Sequence, residues 1–111
     1  MLYDYAAAFP SVSHKWLFAT LEARGMPCGA IAFVKSLYTN VRAFVRKGQA
    51  LEHAFVISAG VLQGCPCSGL LFAAVSDPIL RAQVALGKPG DNVLRACADD
   101  LGHAFMHLSA L

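Results

Sequence analysis

Charge is what this sequence has least of. Only seven of its 111 residues are acidic and nine are basic, so charged side chains make up 14% of the chain; a typical soluble domain carries about 25%. That scarcity, with no block of like charge and no low-complexity tract, excludes a disordered polyelectrolyte. No basic stretch precedes an apolar run at the N-terminus, and Asp4 stands where a leader would not place it, so no secretory signal is read. There is no internal repeat. Cysteine is limited to Cys28, Cys65, Cys67 and Cys97, read as free thiols of a reducing compartment.

What the chain has in excess is apolar surface: 57% hydrophobic residues and a mean hydropathy of +0.52. A chain of this length forms one domain or part of one and buries about two-thirds of its unfolded surface. It therefore exposes apolar surface that a neighbouring part of a larger protein covers, or it meets lipid. Residues Ala54 to Ser76 carry no charge and are numerous enough to span a bilayer. Gly60, Gln63, Gly64, Pro66, Ser68 and Gly69 nevertheless make the middle of that stretch a loop, which lipid does not tolerate. No membrane is expected.

Against so few charges, the adjacent pair Asp99-Asp100 stands out inside the apolar segment Leu94–Gly102. Two carboxylates side by side repel each other and lose hydration when the segment packs. A divalent cation between them removes that penalty. Asp4 has a similar apolar setting, Met1 to Ala6. The three acids point to a magnesium site assembled from distant parts of the chain. Two other readings stay open. Asp is a favoured turn residue, so Asp99-Asp100 also fits a polar hairpin tip. Cys65 and Cys67, with His103 and His107, are candidate ligands of a zinc-binding interaction module, although structural zinc calls for four ligands in tight spacing.

Periodicity supplies the frame. Met1–Tyr5 reads as a strand, and Ala6–Val12 as a turn region. Ser13 caps a helix from His14 to about Arg24, stopped by Gly25, with Trp16, Leu17, Thr20 and Leu21 on one face. A second helix follows Pro27 to about Asn40, with Ile31, Val34 and Tyr38 as its stripe. From Val41 to Lys47 the period becomes two: Arg42, Phe44 and Arg46 share one face. Lys47-Gly48-Gln49 turns the chain into a return strand, Leu51–Ser58. Ser68 is a candidate cap for a third helix, about Gly69 to Ala85, which Pro78 should kink or divide. Val93–Ala98 and Leu101–Met106 read as strands, with Asp99-Asp100 as the tight turn between them. The expected class is α+β: an antiparallel sheet with helices packed on one face.

Three blocks in order then carry a resemblance: Leu2-Tyr3-Asp4-Tyr5-Ala6-Ala7-Ala8-Phe9, Gly60-Val61-Leu62-Gln63-Gly64-Cys65-Pro66-Cys67-Ser68, and Ala98-Asp99-Asp100. The chain resembles the palm region of reverse transcriptases, most closely the type carried by non-LTR (LINE-like) retrotransposons. The likeness runs from residue 2 to about residue 105. It implies a polymerase palm-like fragment: residues 1–111 as a partial reverse transcriptase domain, truncated, with fingers before it and thumb after it. The implied activity is RNA-directed DNA synthesis by two-magnesium nucleotidyl transfer, with an RNA template, a DNA primer and deoxynucleotide triphosphates as partners. By the same resemblance Asp4 and Asp99 are the shared Mg²⁺ ligands and Asp100 supports them. Phe9 takes the place of the gate against a ribose 2′-hydroxyl, Gln63 and Gly64 line the nucleotide pocket, and Arg42 and Arg46 meet nucleic-acid phosphate. Each has a plainer alternative: Phe9 a core aromatic, Gln63-Gly64 an ordinary turn, the arginines a solvated strand face. The sequence departs from the family pattern at Cys97, where an aromatic is usual, at Pro10, where an acid is common, and at Cys67 and Gly69, which replace Leu and Pro. A related palm polymerase, such as an intron maturase or an RNA polymerase, is the nearest alternative. The isolated fragment is expected to be inactive or nearly so. A nuclear location would come from the resemblance alone.

Overall fold

Among the described residues, chain order places three helices among five strands: β1 (Leu2–Asp4), α1 (His14–Ala23), α2 (Cys28–Tyr38), β2 (Arg42–Lys47), β3 (Ala50–Val56), α3 (Ser68–Ala85), β4 (Asn92–Cys97) and β5 (Asp100–Phe105). The computed structural model describes residues 2–4, 7–86, 92–97 and 100–105. The expected sequence of elements is the observed one, with boundaries displaced by a residue or two. Asp100 opens β5, so it is a strand residue; Asp99, expected with it in the turn, lies outside the described residues, as does Met106.

Local chemistry sets the helix ends. The Ser13 hydroxyl accepts the Trp16 N–H at the start of α1, using one of the donors the first turn leaves unpaired. At the other end Gly25 adopts φ +70°. Its N–H donates to the Glu22 carbonyl, and the Met26 N–H reaches back to that of Leu21. This is the paired closure that a left-handed residue just past a helix permits. At α3 the expectation for Ser68 does not hold. Cys67 occupies the N-cap position, and the buried Ser68 hydroxyl donates to the Leu62 carbonyl. It ties the preceding loop down instead of capping the helix. Pro78 does not divide α3, which runs unbroken through it. Pro78 deprives the turn before it of one backbone donor. In that same turn the Trp16 indole N–H donates to the Val75 carbonyl at 3.0 Å.

The strands form two sheets. One is three-stranded and antiparallel in the order β1-β5-β4; the other is the β2-β3 hairpin. The helices pack against one another first, α1 against both α2 and α3, and α3 then meets β4. The core between them is Val12, Leu17, Leu21, Ile31, Val34, Tyr38, Val61, Leu71 and Val75; it includes the whole expected stripe of α2 and Leu17 and Leu21 of α1, while Thr20 is a buried polar residue and Trp16 is exposed. No helix among the described residues is long and apolar enough to cross a membrane. The uncharged stretch Ala54–Ser76 is shared between β3, a loop and the first half of α3.

One ionic knot joins α1 to α3. The Asp77 carboxylate accepts from Arg24 and, at 2.7 Å, from Arg81 one turn along α3. The Arg81 hydrogen bond, followed by that of Arg24, holds the Asp77 carboxyl below the usual carboxylate range. A depressed folded-state pKa stabilises the fold above the unfolded value and is lost as pH falls through the folded one. Asp77→Asn should therefore lower the urea midpoint at pH 7, and the difference from the wild type should close once the pH is well below 4. In the core, Leu17→Ala should cost about 2–5 kcal/mol, whereas Leu70→Ala, at a side chain 71% exposed, should change stability by less than about 0.5 kcal/mol. Urea denaturation followed by far-UV circular dichroism checks all three.

Candidate active site

The geometry that matters begins with strand register. β1 pairs with β5 so that Leu2 faces Gly102, Tyr3 faces Leu101 and Asp4 faces Asp100. β4 pairs with the other edge of β5, setting Cys97 opposite Asp100. Asp4, Asp100 and Cys97 thus form one row across the sheet. Directly opposed residues in antiparallel strands have Cα atoms about 4.5–5.5 Å apart. Two acids so placed destabilise the pairing unless a cation or a shared proton offsets their repulsion. The two acids of that row offer hard carboxylate oxygens, the donor type that suits Mg²⁺, whereas Cys97 brings a soft thiol. Of the three expected acids, the fold brings Asp4 and Asp100 together; Asp99 lies outside the described residues. Where side chains are described, no group of three or more His, Cys, Asp or Glu forms a metal cluster.

The chain leaving β1 is then fastened to the loop before α3. Ala7 takes φ +56°, and its carbonyl accepts both the backbone N–H and the hydroxyl of Ser11, closing a turn. That turn is laced to residues 59–61. Ser13 bridges Ala59, the Gly60 N–H donates to the Val12 carbonyl at 2.7 Å, and the Val61 N–H donates to that of Phe9 at 2.9 Å. The His14 Nε2 lies 2.9 Å from the Gly60 carbonyl oxygen. A carbonyl can only accept, so in this contact Nε2 is the donor. Gly60 itself has φ +93°, and a Cβ there would fall 2.8 Å from the Pro10 Cα. Only glycine lets the two backbones approach so closely.

Phe9 is half-buried, its ring stacked on Phe72 of α3 with centroids 4.7 Å apart. Gln63 and Gly64 are exposed, and Gly64, at φ +86°, has open space around it. Phe9 and the Gln63-Gly64 loop are thus held to one another through Val61. Arg42 and Arg46 belong to the separate hairpin and do not join this group. Cys65 and Cys67 are half-buried free thiols, and Cys67 packs on the core. Of their suggested zinc partners, His107 and the His103 side chain lie outside the description. A cavity of about 270 Å³ lies between α1, α3 and the sheet, lined by Val12, Trp16, Phe72, Val75, Ala96 and Leu101 among others. Its apolar wall is unsuited to a triphosphate. The stitching residues His14 and Gly60 escaped the sequence reading as a pair. The one available signal was a glycine followed directly by an apolar dipeptide, which gives no partner.

The family profile "Reverse transcriptase (RNA-dependent DNA polymerase)" matches residues 1–106, and the chain belongs to that family. Its relatives place it with the non-LTR, LINE-like elements. It is 35% identical over 102 residues to the retrovirus-related Pol polyprotein from type-2 retrotransposable element R2DM of Drosophila melanogaster, a match covering 88% of this chain and 10% of that protein. It is 31% identical over 77 residues to the transposon TX1 uncharacterized 149 kDa protein of Xenopus laevis, covering 69% of this chain and 6% of that one. A Pol polyprotein from the type-1 element R2 of Popillia japonica is 30% identical over 105 residues, covering 88% of the chain. The chain therefore spans a small part of the length of these relatives. No solved structure matches it.

Two glycines with the same backbone sign separate strain from contact. Gly64→Ala should cost about 1–2 kcal/mol for the left-handed backbone alone. Gly60→Ala should cost about 1–3 kcal/mol more, because its Cβ also meets Pro10. Urea unfolding of the two variants measures the difference; equal losses would contradict the close approach.

Proposed function

We propose that this chain is the catalytic palm portion of a retrotransposon reverse transcriptase, and that residues 1–111 form a partial domain of it. The observation that carries the reading is the register of Asp4 opposite Asp100 in a chain of this family. In it, Asp4 and Asp99 are the shared magnesium ligands and Asp100 completes the carboxylate group. Two divalent ions bound there would supply in-line alignment and charge neutralisation as a primer 3′-hydroxyl attacks the α-phosphate of a deoxynucleotide triphosphate and pyrophosphate leaves. The chain's own residues do the positioning. Phe9, braced by Phe72, takes the sugar gate, where a ring under the sugar disfavours a 2′-hydroxyl. Gln63 offers both a donor and an acceptor to a base or phosphate, and the open side of Gly64 lets a nucleotide approach the backbone. Arg42 and Arg46 meet nucleic-acid phosphate. The substrates are an RNA template, a DNA primer and deoxynucleotide triphosphates.

Positioning of a duplex supplies much of such catalysis, and this chain spans a small part of its relatives' length. Primer extension on an RNA template with Mg²⁺ should therefore give no processive product from the 111-residue chain; sustained synthesis would refute the expectation that these residues alone are inactive. Metal analysis tests the site. Weak Mg²⁺ binding that disappears in Asp4→Asn is expected, whereas one equivalent of zinc retained through dialysis would indicate an interaction module built on Cys65 and Cys67.

A further inference from the structure

The β2-β3 hairpin exposes both of its faces. Every residue from Arg42 to Val56 is exposed except Ala43, which is half-buried. The two faces differ in chemistry. Register sets Arg42 opposite Val56, Phe44 opposite His53 and Arg46 opposite Leu51. The Phe44 and His53 rings meet edge to face at 5.7 Å, which confirms that they share a side. The other face carries Ala43, Val45, Lys47, Ala50, Glu52 and Phe55. The hairpin's one carboxylate, Glu52, lies there, 3.2 Å from Lys47.

The first face is therefore a strip of two arginines with a phenylalanine 53% exposed between them, flanked by an imidazole and aliphatic side chains, with no acid on it. Residues two apart on a strand are about 6.7 Å apart, so the cations bracket the ring. Neither arginine of this strip has a carboxylate partner among the described residues. The charge pattern calls for a polyanion. The exposed ring and aliphatic rim call for one whose bases are unpaired and free to stack. A duplex, whose bases already stack on each other, would use only the arginines.

We infer that the Arg42-Phe44-Arg46 face of the hairpin, with His53, is a binding platform for single-stranded RNA. It deepens the proposed function by giving these arginines one strand type and a stacking partner. It rests on that reading for its ligand class and on the hairpin alone for its geometry, and it needs no metal. Binding of a fluorescein-labelled 20-nucleotide oligouridylate to the 111-residue chain, read by anisotropy in EDTA, tests it apart from the carboxylate site. Measurable binding at low salt should weaken about tenfold in Phe44→Ala and be restored in Phe44→Trp. Arg42→Gln/Arg46→Gln should reduce the salt slope by about 1.4. Lys15→Ala, a charge change on the exposed side of α1, should alter binding far less than the double variant. Amide shifts of the wild-type chain on titration should centre on residues 42–56, which serves as the readout that needs no variant. No binding at low salt would overturn the inference. So would equal affinity for a 20-base-pair duplex, losses in Phe44→Ala no larger than in Lys15→Ala, or shifts confined to the body of the protein. Binding to phosphatidylglycerol vesicles that needs Phe44 when RNA binding does not would also overturn it, since the face would then serve a lipid surface.

Discussion

The antiparallel pairing of β1 with β5 is the constraint on which the rest of this architecture depends. It joins a three-residue strand at one end of the chain to a strand near the other, and it decides which acids can act together. A slip of one residue would move Asp4 off the Asp100 row and onto the opposite face of the pleat relative to its present partner. Because the row sets like charges opposite each other, the local pairing is unfavourable in isolation. It is maintained by what surrounds it: β4 on the far side of β5, the buried Leu101 one residue along, and α3 beneath the sheet.

A second layer of constraint fixes the loop against that strand. Three backbone contacts and the His14 ring draw the turn after β1 onto residues 59–61, and the Ser68 hydroxyl holds Leu62 from the other side. The loop carrying Gln63 and Gly64 is thereby exposed at its tip and anchored at both ends. The hydrophobic core beneath, contributed by all three helices together with Val12 and Val61, makes these anchors part of the same packed unit. The hairpin β2-β3 is different in kind. It shares no sheet with the carboxylates and exposes apolar residues on both sides, so its surface is available to other molecules or to other parts of a longer protein.

How much of this could be read from residues alone follows the range of the physics. Helix α1 was legible because its signals are local: Ser13 as a cap, Gly25 as a stop and the spacing of Leu17, Thr20 and Leu21. The hairpin was legible from its change of period and from Gly48. Ser68 was misread as a cap because a serine ahead of an apolar helix carries the same local signal whether its hydroxyl turns to its own helix or to Leu62. Pro78 does not divide α3, because a proline removes one donor and the packed face of Leu71 and Val75 holds the rest of the helix to the core. The division into two sheets and the contact of Gly60 with Pro10 depend on long-range approach, for which no spacing rule exists. The candidate acids, the loop motif and the meeting of the acids on neighbouring strands can be read from the residues; the register that sets Asp100 directly opposite Asp4 cannot.

The proposal that Asp4 and Asp100 form one cation-binding row is open to a direct test. In a titration of the isotopically labelled chain with Mn²⁺, paramagnetic broadening should fall together on amides at the end of β1 and the start of β5, and should vanish in Asp4→Asn. Broadening at only one of these strand ends, or centred instead on residues 65–67, would contradict the account.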